Sequence, residues 1–220
     1  MRESAGVQIL VIPSGVLRTN AYLLTDAARG EAVLVDAPEG ILAKVQPVLG
    51  EQGCRLTDLW LTHGHWDHMQ EAARVQRETG ARVSAHPADR DLLEKPEGMR
   101  PFVYGDGPLE PVHPERWLSA GDRIEALGLP FEVRHVPGHC PGNVLFYCAA
   151  LKAAFVGDAL FNGGVGRWDL PGGSFSVLER SIREQIYTLP DETVVLSGHG
   201  EATTVGAEKE TNPYVMAVIP

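Results

Sequence analysis

Thr62-His63-Gly64-His65-Trp66-Asp67-His68 places three histidines and one aspartate within six consecutive residues, 63–68, at the end of an apolar run. Imidazole nitrogen and carboxylate oxygen are the donors that zinc and other borderline transition metals prefer. The spacing adds to the signal. In an extended turn, the alternate residues His63 and His65 can point the same way. Asp67 and His68 follow where the chain turns into a helix. One cation could take His63 and His65, and a second could take Asp67 and His68. With eight histidines in 220 residues, three in six is a concentration that a chance polar turn does not explain.

Upstream of this stretch, Leu56–Thr62 reads as a buried strand running straight into His63. Downstream, three more ligand-type residues stand at predicted strand ends. His139 closes Val136-Pro137-Gly138-His139 after a strand at Phe131–His135. Asp158 closes Phe155-Val156-Gly157-Asp158. His199 sits in Leu196-Ser197-Gly198-His199-Gly200. Strand ends anchor loops that converge on one rim of a scaffold, where rigid sites are built. A glycine beside each of these residues lets the backbone turn sharply.

The remaining pattern is one of strands in runs with a few helices between them. Strands are predicted at Gln8–Pro13, Ala21–Thr25, Ala32–Asp36, Arg82–Ala85, Arg123–Ala126, Val144–Tyr147, Ala154–Val156 and Thr193–Leu196. Helices are predicted at Ile41–Leu49 with a stop at Gly50, at Glu71–Thr79 with a stop at Gly80, and at Ser176–Tyr187 with a serine cap. The Pro- and Gly-rich stretch from Glu94 to Pro114 reads as a surface loop with a short helix. Two sheets covered by helices fit this order better than a doubly wound parallel sheet. No internal repeat divides the chain, and residues 1–220 are expected to form one domain.

Composition narrows the function. Nineteen Lys and Arg against 29 Asp and Glu give a net charge of −10. That argues against nucleic-acid or anionic-membrane partners, which need clustered basic residues. It leaves room for a small anionic substrate, because bound cations set their own local field. No apolar run approaches the ~20 residues of a membrane span, and the N-terminus does not read as a secretory signal. Three cysteines without a CxxC do not form a disulfide framework, so a reducing cytoplasm is the expected home.

Taken in order, His-x-His-x-Asp-His, Pro-Gly-His, Gly-Asp and Gly-His-Gly resemble the metallo-β-lactamase superfamily. The resemblance implies an αββα sandwich, an α/β (α+β) fold of two mixed sheets flanked by helices. It also implies two divalent metal ions, zinc in the first place, with iron or manganese as alternatives. One would be held by His63, His65 and His139, the other by Asp67, His68 and His199, with Asp158 bridging. Asp67 and Asp158 are thereby the expected catalytic carboxylates. Asp36, after the strand ending Val33-Leu34-Val35, is expected to support the ligand loops from behind, although Ala37-Pro38 follows where many members have Pro-Gly. His86, His113 and His135 match no ligand position. Cys140 beside His139 is not needed as a ligand, and Cys54 and Cys148 are expected in the core.

The stretches Gly157-Asp158-Ala159-Leu160-Phe161, Gly166 to Gly173, Gly198-His199-Gly200 with Thr203-Thr204, and Glu210-Thr211-Asn212-Pro213-Tyr214 resemble short bacterial glyoxalase II proteins. The resemblance implies hydrolysis of a small acyl-thiol such as S-D-lactoylglutathione to D-lactate and glutathione. The longer glyoxalase II enzymes carry a basic C-terminal extension that grips glutathione, whereas here the residues after His199 include one Lys and no Arg. Arg167 is the candidate for binding a substrate carboxylate. The alternative within the same resemblance is a persulfide dioxygenase with a single iron on His63, His139 and Asp158.

Overall fold

The computed structural model describes residues 3–4, 6–105 and 107–216. Two mixed sheets dominate it. The first runs, in spatial order, β1 (Glu3–Ser4), β2 (Val7–Ser14), β3 (Thr19–Asp26), β4 (Glu31–Val35), β5 (Arg55–Trp60), β6 (Arg82–Ala85) and β7 (Arg116–Trp117). Pairing is antiparallel up to β4 and parallel from β4 to β7. The second sheet takes β8 (Arg123–Ala126), β9 (Leu129–His135), β10 (Val144–Cys148) and β11 (Ala153–Gly157). A two-stranded hairpin, β12 (Leu160–Phe161) and β13 (Gly164–Val165), interrupts the sequence before β14 (Val194–Ser197) and β15 (Thr203–Thr204) complete that sheet. Its β11–β14 pair is parallel, and its other pairs are antiparallel.

The layering follows from side-chain alternation along strands buried on both faces. In β3, Ala21 and Leu23 face outward to join Ile41, Leu42 and Val45 of helix α1 (Ile41–Gln52). Their neighbours Tyr22 and Leu24 face the other sheet and meet Phe131, Phe146 and Phe155. Trp60 sits at the centre of this inter-sheet layer, edge-on to Phe131 at 4.9 Å and stacked on Phe146 at 5.0 Å. On the far side, Leu145, Ala154 and Val156 pack under Leu178 and Ile182. The resulting order is helix, sheet, sheet, helix, as the resemblance implies. Among the described residues, no helix is long and apolar enough to cross a membrane.

Several boundaries differ from the sequence expectation. Helix α1 does not stop at Gly50. It continues to Gln52, and Gly53, with φ 63°, closes it in the left-handed region that glycine adopts without strain. Short α2 (Trp66–Met69) and α3 (Ala72–Thr79) follow β5, and α4 (Arg90–Glu94) leads into a 3-10 turn at Pro96–Phe102, within the stretch read as a loop with a short helix. Helix α5 (Phe175–Ser181) starts one residue early and widens into a π turn at Ile182–Ile186. The expected serine cap is absent: the Ser174 hydroxyl lies 3.3 Å from that of Ser176 and makes no capping bond. Helix α6 (Val205–Thr211) was not anticipated, although Thr204 caps it by accepting from the Ala207 amide at 3.2 Å. The α6 residue Glu208 is buried and accepts from the Gly163 amide, which pins the β12–β13 hairpin.

Asp89, a residue the sequence did not single out, ties two loops together. Buried at the foot of α4, it accepts from the amides of Gly64 at 2.8 Å and Gly142 at 2.6 Å, and from the Cys140 thiol at 3.2 Å. Burial pushes its carboxyl up, and these donors pull it back. One carboxylate therefore joins the loop after β5 to the loop between β9 and β10. A Cβ at Gly142 would collide with the Asp89 carboxylate, so glycine is required there for the approach. Asp89→Ala leaves two buried amides unpaired, each worth about 1–3 kcal/mol. For a chain of this size that predicts a Tm lower by roughly 5–15 °C in a thermal melt; an unchanged Tm would show that the clamp carries no stability.

Candidate metal centre

Every ligand-type residue singled out in the sequence stands just beyond a strand of the sandwich. His63 and His65 follow β5, and α2 then presents Asp67 and His68 from its first turn. His139 lies in the loop after β9, Asp158 directly follows β11, and His199 follows β14. These seven residues converge, and their donor atoms form three groups, each within 4.8 Å: His63, His65 and His139; His63, His68 and Asp158; Asp67, His68 and His199. Asp158 lies between the outer two groups. Its Oδ1 is 3.3 Å from His68 Nε2, and its Oδ2 is 3.4 Å from His199 Nε2 and 3.8 Å from His139 Nε2. His65 Nδ1 approaches His139 Nε2 to 2.8 Å. A Cβ at Gly198 would collide with Asp158 and His68, so the loop bearing His199 can come this close only with glycine there.

Hydrogen bonds from behind fix which nitrogen His63, His68 and His139 turn inward. Asp36 Oδ1 accepts from the Thr62 amide at 2.8 Å. Its Oδ2 lies 2.8 Å from both the Thr62 hydroxyl and His68 Nδ1. A hydroxyl has one hydrogen, so Thr62 gives it to Asp36 and can accept from His63 Nδ1, 3.0 Å away. Asp36 thus sets the tautomer of His68 directly and of His63 through Thr62. It does so with φ 62°, a left-handed conformation that aspartate tolerates better than most residues. His139 Nδ1 donates to the Arg167 carbonyl at 2.8 Å. Thr19 Oγ1 donates to Asp67 Oδ2 at 2.7 Å. The tautomers of His63, His68 and His139 all leave Nε2 lone pairs facing inward, the arrangement expected of metal-binding histidines.

The donor set fits metal cations on two counts. First, His63 Nε2, His68 Nε2 and Asp158 Oδ1 are buried and have no hydrogen-bond partner. Such orphaned atoms are costly unless a further group satisfies them. Second, the charges are arranged for cations. Burial, reinforced by neighbouring histidines, holds His63 far below the usual imidazole range and His65 down to about 3, so both are neutral. Burial alone would lower His68 and His199 too. The Asp67, Asp158 and Asp36 carboxylates outweigh it at His68 and raise it, and Asp158 and Asp67 raise His199 to about 9. Asp158 is held low in turn: His68 and His199 overcome its burial. Positive charge is therefore favoured between the carboxylates, and metal cations compete with protons for those same lone pairs.

The cluster forms part of the wall of a pocket of about 460 Å³ that Arg167 also lines. The Arg167 guanidinium is paired with Asp169 at 2.8 and 2.9 Å and is largely exposed, while its backbone carbonyl holds His139. The other histidines stay out of the cluster. His86 and His135 stack on each other at 4.1 Å, with burial and His135 pushing His86 down to about 4, and His113 is exposed. The Cys140 thiol is turned to Asp89, Cys148 is buried in the inter-sheet core, and Cys54 packs partly buried against the α1 layer.

Known proteins resemble this chain in sequence and fold. Residues 14–199 match the model of the metallo-beta-lactamase superfamily. The chain is 34% identical over 212 residues to hydroxyacylglutathione hydrolase GloC of Haemophilus influenzae, covering 95% of this chain and 98% of that protein. Among solved structures, BLEG-1 B3 metallo-beta-lactamase is similar with a TM-score of 0.87 and 33% identity, covering 94% of this chain and 99% of that one. TTHA1623, solved in a di-iron-bound form, is similar with a TM-score of 0.82 and 36% identity, covering 93% and 99%. The helix-flanked double sheet and the matched span together place this chain in the metallo-β-lactamase superfamily.

Proposed function

We propose that the protein is a dinuclear metal-dependent hydrolase acting on a small acyl-thiol, a thioester of the glyoxalase II type such as S-D-lactoylglutathione. The observation that carries this reading is the second ligand group. Asp67, His68 and His199 come together beside His63, His65 and His139, and Asp158 reaches both. A single-iron persulfide dioxygenase would need only His63, His139 and Asp158 and would leave the other four residues without a task. The GloC relative, a hydroxyacylglutathione hydrolase, supports the same reaction class. A reducing cytoplasm suits a protein whose three cysteines are all free.

His63, His65 and His139 would hold one cation, Asp67, His68 and His199 the other, and Asp158 would be shared. Zinc is the metal that this donor set suits first, with iron or manganese as alternatives. Bound divalent cations supply Lewis acidity and lower the pKa of water, which makes a nucleophile available at neutral pH. The chain's own residues do the rest. Asp36, Thr62 and the Arg167 carbonyl hold the imidazoles in one tautomer, so no reorganisation is needed when charge develops. Asp67 and Asp158 offset part of the cations' charge. Arg167 at the pocket wall is the group to receive a carboxylate of the thiol carrier. Its pair with Asp169 is exposed and therefore weak, so a substrate anion can displace it.

The test is direct: metal-loaded protein assayed side by side on S-D-lactoylglutathione and on glutathione persulfide with oxygen. Hydrolysis of the first without oxygen consumption on the second supports the proposal, and the reverse pattern refutes it. Asp158→Ala should lower turnover roughly a hundredfold or more, the scale of lost electrostatic support; near-normal turnover would remove Asp158 from the machinery. Arg167→Ala leaves the backbone carbonyl that holds His139 in place. It should raise KM roughly tenfold on a glutathione thioester with kcat nearly unchanged, and should leave a neutral thioester unaffected. Equal losses on both substrates would mean that Arg167 supports the loop instead.

A further inference from the structure

The pocket beside the ligand cluster is built for an apolar group. Trp66 and Met99 lie in its wall, 6% and 5% exposed, and Leu92 is half-buried beside them. Phe102 and Tyr104 extend the same wall toward solvent, 44% and 63% exposed, an unusual exposure for large apolar rings. Trp66 and Tyr104 approach each other with ring centroids 6.3 Å apart. This wall comes from two separate segments, α2 and the residues from α4 through the 3-10 turn and just beyond it. Among the described lining residues outside the ligand cluster, the polar side-chain groups are the Trp66 indole N–H, the Tyr104 hydroxyl and the Arg167 guanidinium, the last already facing Asp169.

A lactoyl group would bring a hydroxyl against this wall. Apart from the Trp66 indole N–H and the exposed Tyr104 hydroxyl, the wall offers that hydroxyl no partner, and a hydroxyl that leaves water without one is penalised, whereas each methylene that leaves water is favoured. We propose that the site prefers thioesters whose acyl group is a medium-length aliphatic chain, butyryl to hexanoyl, over the short hydroxyacyl group of lactoylglutathione. The acyl chain lies along Trp66, Leu92, Met99 and Phe102, and the thiol carrier leaves past Arg167. Met99, unbranched and polarisable, can adapt to chains of different length. The inference rests on the thioesterase reading and names its substrate class. The reaction needs water alone. The acyl C–S bond breaks, a C–O bond forms, sulfur leaves with the bonding pair and takes up a proton, and the products are a carboxylate and a thiol.

The experiment uses metal-loaded full-length protein and N-acetylcysteamine thioesters, whose neutral carrier takes Arg167 out of the comparison. Across acetyl, butyryl and hexanoyl esters, kcat/KM should rise about fourfold per methylene, and the D-lactoyl ester should fall below butyryl. Independently of turnover, titration followed by tryptophan fluorescence should show hexanoate binding at least about tenfold tighter than D-lactate, from the same burial. Phe102→Ser should lower the hexanoyl-to-acetyl ratio about fivefold. A flat series, or D-lactoyl preferred to hexanoyl, overturns the apolar-acyl proposal while the thioesterase reading stands. Hydrolysis of none of the esters sinks the thioesterase reading, and the carboxylate titration then decides the apolar subsite alone: equal binding of hexanoate and D-lactate overturns it.

Discussion

Asp36 is the constraint on which the site depends. One buried carboxylate accepts the Thr62 amide and hydroxyl and the His68 ring, and through the Thr62 hydroxyl it also fixes His63. Its side chain is aimed there by a left-handed backbone at the end of β4, and its own amide is held by the Trp60 carbonyl at 2.9 Å. The neighbouring strand ends, β4 and β5, are thus locked to each other before any ligand is considered. The lock then crosses to the second sheet. The Val144 amide donates to the Thr62 carbonyl at 2.8 Å, and the Tyr22 hydroxyl donates to the Ser197 carbonyl at 2.6 Å. Donor atoms from four loops can therefore converge within a few ångströms although they belong to different sheets.

Electrostatics and packing divide the work within the pocket. The chain as a whole is acidic, yet the cluster places two carboxylates among five imidazoles. Carboxylates raise His68 and His199, while burial keeps His63 and His65 neutral. The result is one polar end with positive charge favoured. The rest of the wall is apolar, apart from the Trp66 indole N–H, the Tyr104 hydroxyl and the Arg167 guanidinium. The proposed catalytic end and the proposed acyl wall are built from different segments: strand-end loops for the first, α2, the α4 region and the β12–β13 hairpin for the second.

The residues proposed to carry chemistry were readable because they are rare types in dense or phased positions. His63, His65, Asp67 and His68 announce themselves by spacing, and His139, Asp158 and His199 by standing next to glycine at strand ends. Asp36 could be placed by the resemblance, but its role for two histidines needed the geometry of Thr62. Asp89 left no trace in the sequence. A lone aspartate after His-Pro-Ala looks like a surface turn, and its burial is a consequence of how α4 packs under two loops. Helix ends were the least legible. Gly50 reads as a stop, yet the α1 ladder continues because Gly53 supplies a better left-handed cap. Helix α6 is short and polar on its exposed face, and it exists because Val205 is buried and Glu208 binds the hairpin, a tertiary reason that local pattern does not show. The pocket wall was equally hidden, since it gathers residues far apart in the chain.

Seven side chains are proposed here to form one centre for two cations. The most direct test is the metal content of purified protein saturated with zinc and freed of excess, measured by inductively coupled plasma mass spectrometry against protein concentration from amino-acid analysis. Two zinc ions per chain are expected. One ion per chain under saturating zinc would contradict this, because Asp67, His68 and His199 would then be a hydrogen-bonded cluster and not a metal site.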